Sequence, residues 1–449
     1  MGIQTMLEGF LGRAAQSVIR REKLFVVAIT GSIGKSTTKQ AIGALLRSDL
    51  LERGIRVTAK NYNNELGVPL TVFGRMAPGR SVFAWMSLLG TACFARMGLW
   101  KSGLRTLVLE MGADKPGDIR YLTSLATPDI SVVTAIFSED SGTTPVHAGN
   151  YATIEALVEE KSQLVRALRS GGTAVLNADD SRVFAMRHLT PEHVLIFGEA
   201  DGSDVRIAKT NIRMEETPHG LKPIGLEIVL ECYERTYDLF IPGVYGRSIA
   251  YAAAAAIAVG QAMDLTEEQV TALPTAFTPM PGRTRLIEGI KHTTLLDDTY
   301  NASPSSTLSS LRDLAGMKII PGQRRVACIG EMRELGDTAQ SMHRMVGAEA
   351  GRLGLDLLVV CGIFAHAMAE GALANGMNPE SVKVIEDTPE AGLFLQDWIK
   401  PGDIILAKAS EGTRQTKGVR MERVIKELMA DPLRAEQMLV RQDAAWQRR

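Results

Sequence analysis

The strongest constraint on this chain is a run near its start: LFVVAI (24–29) leads straight into TGSIGKSTTKQAIGALL. A β-branched run, a glycine-bearing loop and a helical pattern in that order describe a strand–loop–helix unit built to hold phosphate. Gly31 and Gly34 let the backbone bend so that several N–H groups converge on phosphate oxygens, and the helix beginning near Lys35 adds its positive dipole end. Lys35 supplies a point charge for the β and γ phosphates, and Ser36 supplies a hydroxyl for magnesium. The spacing is the shorter GxxGK[ST] form, because the position five before Gly34 is Ile29.

Around this unit, short β-branched runs alternate with helical patterns, the signature of parallel βαβ units. TLVLE (106–110), ISVVTA (130–135) and TAVLN (173–177) join the first run as buried strands. Between Val205 and Ile241 polar and apolar residues alternate, which predicts an antiparallel hairpin or small sheet, and Ala250 to Ala262 reads as a packed helix. The segment FTPMPGRTR (277–285) interrupts regular structure and reads as a linker. A second βα series follows: TTLLDD (293–298), RRVACIG (324–330), DLLVVCG (356–362) and DIILAKA (403–409). The expected fold is therefore α/β. A leading helix (1–24) precedes a central ATPase-like domain with a parallel sheet (25–280) and a Rossmann-like C-terminal domain (281–449). The charged tail after Asp431 is expected to fray.

Composition narrows the partners. Fifty Lys and Arg against 51 Asp and Glu give a net charge of −1, which disfavours nucleic acid or any other polyanion as a partner. The four cysteines lie far apart without a CxxC pair, so neither a zinc ribbon nor a disulfide framework is indicated, and a reducing cytoplasm fits. Charged residues through the first 24 positions break any signal-peptide core and suggest an amphipathic helix. The stretch 81–95, SVFAWMSLLGTACFA, is uncharged but falls short of the roughly 20 residues that cross a bilayer. A buried helix is favoured there over an interfacial one touching a membrane.

Six motifs occur in a telling order: TGSIGKST, KNYNNELGVPLT (60–71), LEMGADKPGDI (109–119), DDTYNASPSS (297–306), GEMRELGD (330–337) and RMERV (420–424). In this order they resemble the Mur ligases, and most closely the MurF type, over roughly residues 25 to 427. The resemblance implies an ATP- and magnesium-dependent amide ligase of peptidoglycan precursor synthesis. A substrate carboxylate attacks the γ-phosphate to give an acyl phosphate, and an amine, D-Ala-D-Ala in the MurF type, displaces phosphate from a UDP-muramoyl-peptide. Such chemistry calls for phosphate cradling, magnesium and in-line positioning rather than a protein nucleophile.

The resemblance also assigns residues. Gly31, Ser32, Gly34, Lys35, Ser36 and Thr37 would hold ATP, joined by Arg283 and by the loop of Asp297, Asp298, Tyr300 and Asn301. An Asp in that loop could accept from ribose hydroxyls, and Asn301 could donate to a phosphate or the acyl intermediate. Glu110, at the end of a predicted strand, matches the magnesium-binding Glu, and His147 matches the His that helps hold a second magnesium. Lys161 matches the lysine that is carbamoylated, a change that turns a cation into a metal-ligating anion. Its helical neighbours Leu157, Val158, Leu164 and Val165 offer no acid and suit a partly buried lysine. Asn61, Asn63 and Asn64 resemble the family's NNxxGVP element, and Lys408 and Ser410 its KGS segment, both on the substrate side.

Three departures suggest a divergent subgroup. The phosphate loop begins at Thr30 after a single helix, so the N-terminal UDP-sugar domain usual in MurF-type enzymes is expected to be lacking. Tyr245 and Gly246 stand where the family places a His-Asn pair near adenine, and ASEGTRQTKGVRMERV is longer than the matching loop. A ligase for another carboxylate and amine, or a nucleotide-binding scaffold without catalysis, are the alternatives. The complete phosphate and metal set speaks against the scaffold.

Overall fold

In the computed structural model, the described residues are 3–46, 54–59, 62–79, 81–136, 151, 153–411, 419–443 and 446. The strands of the first sheet are β1 (Phe25–Thr30), β2 (Ile55–Val57), β3 (Thr106–Glu110), β4 (Ile130–Val133), β5 (Thr173–Asn177), β6 (His193–Gly198), β7 (Val205–Thr217), β8 (Gly220–Cys232) and β9 (Arg235–Pro242). They lie in the order β2-β3-β1-β4-β5-β6-β7-β8-β9. Pairing is parallel as far as β7, after which β7, β8 and β9 form an antiparallel meander. A second sheet holds β10 (Arg285–Glu288), β11 (Thr294–Asp298), β12 (Arg325–Ile329), β13 (Leu357–Val360), β14 (Val382–Val384) and β15 (Ile404–Lys408), in the order β10-β11-β15-β12-β13-β14. Within it, only the β10–β11 pair is antiparallel among the described residues.

The central strands are apolar throughout because both faces are covered. Val27 and Ile29 of β1 face a core built with helix α2 (Lys35–Leu46) and the helix Arg247–Ala262. Val26 and Ala28 face a second core, completed by α1 (Ile3–Glu22), α3 (Gly67–Phe73), α4 (Val82–Arg96) and α5 (Asp118–Leu125). Register then places the carboxyl ends side by side: Ile29 opposite Glu110, and Thr30 opposite Val133. Open α/β sheets bind ligands at such strand ends, and the phosphate loop leaves β1 there.

Two expectations need correction. The described residues just beyond Asp431 do not fray: Ala435 and Leu439 are buried in the second sheet's core, and the Arg441 guanidinium donates to the carbonyls of Thr299 (3.0 Å) and Tyr300 (2.5 Å). Nor is α4 a buried helix. Leu88, Ala92 and Ala95 are buried, while Val82, Phe83, Met86 and Phe94 lie exposed. No helix among the described residues is long and apolar enough to cross a membrane.

Candidate active site

The loop between β1 and α2 is held open by its neighbour at the end of β4. At Gly31, φ is 146° and a Cβ would lie 2.1 Å from Thr134 Oγ1, so no side chain fits. Thr134 Oγ1 donates to the Ile33 carbonyl at 2.6 Å, and the amides of Ser32 and Ile33 donate to the Ala135 carbonyl at 2.6 and 3.2 Å. Those two loop amides are thus committed within the protein and are not among the N–H groups that could converge on phosphate. The first amides of α2 precede any intrahelical acceptor, as at every helix N-terminus, and Thr38 is the first to find one, donating to the Gly34 carbonyl at 2.9 Å. Ser32 Oγ is buried and has no hydrogen-bond partner among the described residues. The Lys35 ammonium folds back onto the carbonyls of Gly31 (2.8 Å) and Ser32 (3.3 Å).

Glu110, the last residue of β3, faces the same helix. Ser36 Oγ donates to its Oε1 at 3.1 Å, and the Lys39 ammonium pairs with Oε2 at 2.9 Å in a fully buried contact. Burial alone would raise the Glu110 pKa, but Lys39 and then Lys35 outweigh it and hold the carboxylate below its ordinary value. Ser36 and Lys39 stand three apart, on one face of α2, as a shared partner requires.

Lys161 comes from helix α6 (Ile154–Arg166), whose Leu157, Leu164 and Val165 are buried and carry the lysine inward with them. Its side chain is 0% exposed, and its Nζ donates to the Gly31 carbonyl at 2.9 Å, the same carbonyl that Lys35 engages. Burial, then the positive charge of Lys35, push its pKa well below the ordinary lysine value; Asp114 and Glu160 oppose them weakly. Glu160 accepts from the amides of Gly117 and Ile119, both at 2.7 Å, and so pins α6 to the start of α5. His147 and Asn61 lie outside the described residues.

From the other side, Arg283 reaches across from the segment between the sheets. Its Nη2 lies 3.4 Å from Ser36 Oγ, and the guanidinium stacks 4.1 Å from the Tyr300 ring centroid. Asp297 does not face outward as a ribose acceptor. Its Oδ2 accepts from the Gly282 amide (2.9 Å) and its Oδ1 from Thr299 Oγ1 (2.6 Å), and burial pushes its pKa up to about 6. Asp298 pairs with Lys408 at 2.5 Å and accepts from Ser310 Oγ at 2.9 Å.

Lys408 and Ser410 are likewise turned inward instead of toward a substrate. Lys408 is buried and also donates to the Asn301 carbonyl at 3.1 Å, while Ser410 Oγ donates to the Ala302 carbonyl at 2.7 Å. They hold the 297–302 loop from beneath, leaving Asn301 itself exposed. Tyr245 is fully buried in the core of the second sheet with an unpartnered hydroxyl among the described residues, and a Cβ on Gly246 would lie 2.9 Å from Asp313 Oδ2. Neither residue presents a side chain to a base.

Beside the loop, Asn63, Asn64, Glu65, Gly112, Asp114 and Asp118 line a small, shallow cleft. Asn63 accepts the Gly112 amide on its carbonyl at 2.8 Å, and Asn64 Oδ1 accepts the Gly67 amide at 3.1 Å, so the latter side chain serves the turn into α3. Sequence reasoning missed Lys39, Glu160 and Thr134. The signal for Lys39 was present, since it follows Lys35 by one helical turn.

The site suits a hard cation bound together with phosphates. Ser36 and Glu110 offer neighbouring oxygens, the carboxylate is held ionised, and no cluster of three His, Cys, Asp or Glu among the described residues would enclose a metal alone. Comparison with known proteins adds to the geometry. The family model described as "Mur ligase middle domain" matches residues 91–260, and that described as "Mur ligase, glutamate ligase domain" matches residues 282–411. The chain is 30% identical over 406 residues to a UDP-N-acetylmuramoyl-tripeptide–D-alanyl-D-alanine ligase of Synechocystis sp., covering 90% of this chain and 75% of that protein. A MurF ligase from Thermotoga maritima, solved in complex with ADP, aligns with TM-score 0.69 and 25% identity over 96% of this chain and 84% of that one. MurF from Acinetobacter baumannii shares the fold, with TM-score 0.72 at 24% identity, covering 94% of this chain and 80% of that one.

Proposed function

The chain belongs to the Mur ligase family, and from that premise we propose that it uses ATP to join a UDP-muramoyl tripeptide to D-Ala-D-Ala in cytoplasmic peptidoglycan precursor synthesis. The observation that carries the proposal is the meeting of Lys161 with the Gly31 carbonyl, because it brings to the phosphate loop a buried lysine that carbamoylation would turn into an anionic ligand.

In this account Lys35 leaves the Gly31 and Ser32 carbonyls to pair with the outer phosphates, and the first-turn amides of α2 hold the oxygens between them. Ser32 Oγ, buried and unpartnered among the described residues, gains an acceptor. Ser36 and Glu110, with His147 and a carbamoylated Lys161, would hold magnesium, which when bound would supply positive charge against the phosphates. Lys161 is suited to that modification because its depressed pKa supplies a neutral amine: nitrogen bonds to carbon dioxide, a proton leaves to water, and a carbamate remains. Arg283 brings the second sheet's charge to the same oxygens. The substrate carboxylate then attacks the γ-phosphorus, ADP departs, and the amine displaces phosphate from the acyl carbon. Asn63 and Asn64, which line the cleft beside the loop, are assigned to the carboxylate substrate, and the 297–302 loop to the nucleotide. The division into a central domain (25–280) and a C-terminal domain (281–449) belongs to the same proposal.

Phosphate release assayed with UDP-muramoyl tripeptide, ATP and magnesium tests this directly. Release is expected to depend on D-Ala-D-Ala. Turnover with another carboxylate and none with the muramoyl peptide would reject the substrate while sparing the chemistry.

A further inference from the structure

Helix α4 is apolar on all sides yet covered on one. Leu88, Ala92 and Ala95 pack into the core beneath α1 and α3, while Val82 (67% exposed), Phe83 (81%), Met86 (54%), Phe94 (54%), Met97 (62%) and Leu99 (72%) face outward. Their spacing at three and four residues gathers most of them into one stripe along the helix. Side chains this large, exposed together, mark an interaction surface and are not a scatter of single residues.

The charge around the stripe is one-sided. Between Glu65 and Glu110 the sequence carries Arg75, Arg80, Arg96, Lys101 and Arg105 and neither Asp nor Glu. The end of α1 is fastened against the C-terminus of α4, where Arg21 donates to the carbonyls of Ala95 and Trp100, both at 2.6 Å, and its charge is balanced by Glu22 at 3.2 Å. Trp85 and Trp100, half buried near the two ends, add the amphipathic aromatics that favour a headgroup boundary.

We propose that α4 seats the protein on a membrane surface containing anionic lipid, lying in the plane of the interface. At 15 residues the helix is about 22 Å long, too short to span a hydrocarbon core but long enough to lay its stripe into one leaflet. An anionic bilayer answers both features at once, giving apolar cover to the stripe and counter-charge to its basic flanks. A second copy would cover the stripe but leave the charge unanswered, since a two-fold contact through this face sets the same basic residues against each other.

Co-sedimentation of the full chain with vesicles tests the proposal, using phosphatidylcholine alone or mixed with phosphatidylglycerol. The wild type is expected to pellet with the mixed vesicles and to be released by salt. Phe83→Ser/Phe94→Ser and Arg96→Glu/Lys101→Glu should each weaken binding roughly tenfold, with unchanged thermal midpoint and unchanged ligase turnover in vesicle-free solution. Failure of the wild type to pellet, or pelleting of both variants like the wild type, overturns the proposal. So does a lipid-independent dimer, seen by sedimentation velocity, that Phe83→Ser/Phe94→Ser dissociates; that outcome assigns the stripe to a second copy.

Discussion

Two buried side chains of the site, Lys161 and Asp297, owe their charge states first to burial. Lys161 sits without solvent beside Lys35, and this favours the neutral amine that carbamoylation needs. Lys161→Ala should therefore abolish ligation, and short-chain carboxylates should partly restore it by filling the space of the carbamate; steady-state turnover with and without them is the check. Full activity in the unsupplemented variant would remove Lys161 from the site. Asp297 is shifted the other way. Its pKa of about 6, against roughly 4 in an unfolded chain, means that the native state holds the extra proton between those values. The stability it lends is full below about pH 4 and is lost as pH rises through 6, on the order of 2–3 kcal/mol. Urea unfolding of wild type and Asp297→Asn should show that difference growing between pH 4 and 7, with the wild type falling behind.

At the scale of elements, what could be read from sequence follows from what covers each strand. β1, β3, β4 and β5 are covered on both faces, so they appear as unbroken apolar runs whose limits are legible within a residue or two. β2 and β14 are three residues each, too short to show any period, and were not read. For α4 the composition indicated a helix but could not indicate that a single face has a partner. The site divides in the same way. Gly31, Lys35, Ser36 and Glu110 were legible because residue type and spacing carry the chemistry. The inward roles of Asp298 and Lys408 were not, because their ion pair joins residues 110 positions apart. Two substitutions probe the elements themselves. Gly31→Ala should cost at least tenfold in ATP affinity by titration calorimetry, since its Cβ collides with Thr134 and its φ is unfavourable. Leu11→Ala, in the buried face of α1, should lower unfolding free energy by about 2–5 kcal/mol in denaturant titration, which would show that α1 is part of the core.

Across the whole molecule, a net charge of −1 coexists with strongly anionic ligands because the positive charge is concentrated where it is used. Lys35, Lys39 and Arg283 gather at one loop, the first two from α2 and the last from the segment between the sheets. Arg283 links the two sheets at this loop, lying between Ser36 Oγ and the Tyr300 ring. Arg283→Ala should raise the KM for ATP and lower kcat together, with Arg283→Lys intermediate, because lysine keeps the charge but loses the planar contact with Tyr300. The most direct measurement of the central claim follows oxygen. With both oxygens of the substrate carboxylate labelled as oxygen-18, attack on the γ-phosphorus followed by amine displacement must leave one labelled oxygen in each phosphate released, and mass spectrometry of that phosphate reads it. One label per amide formed is the predicted result; unlabelled phosphate accompanying amide formation would contradict an acyl-phosphate ligase.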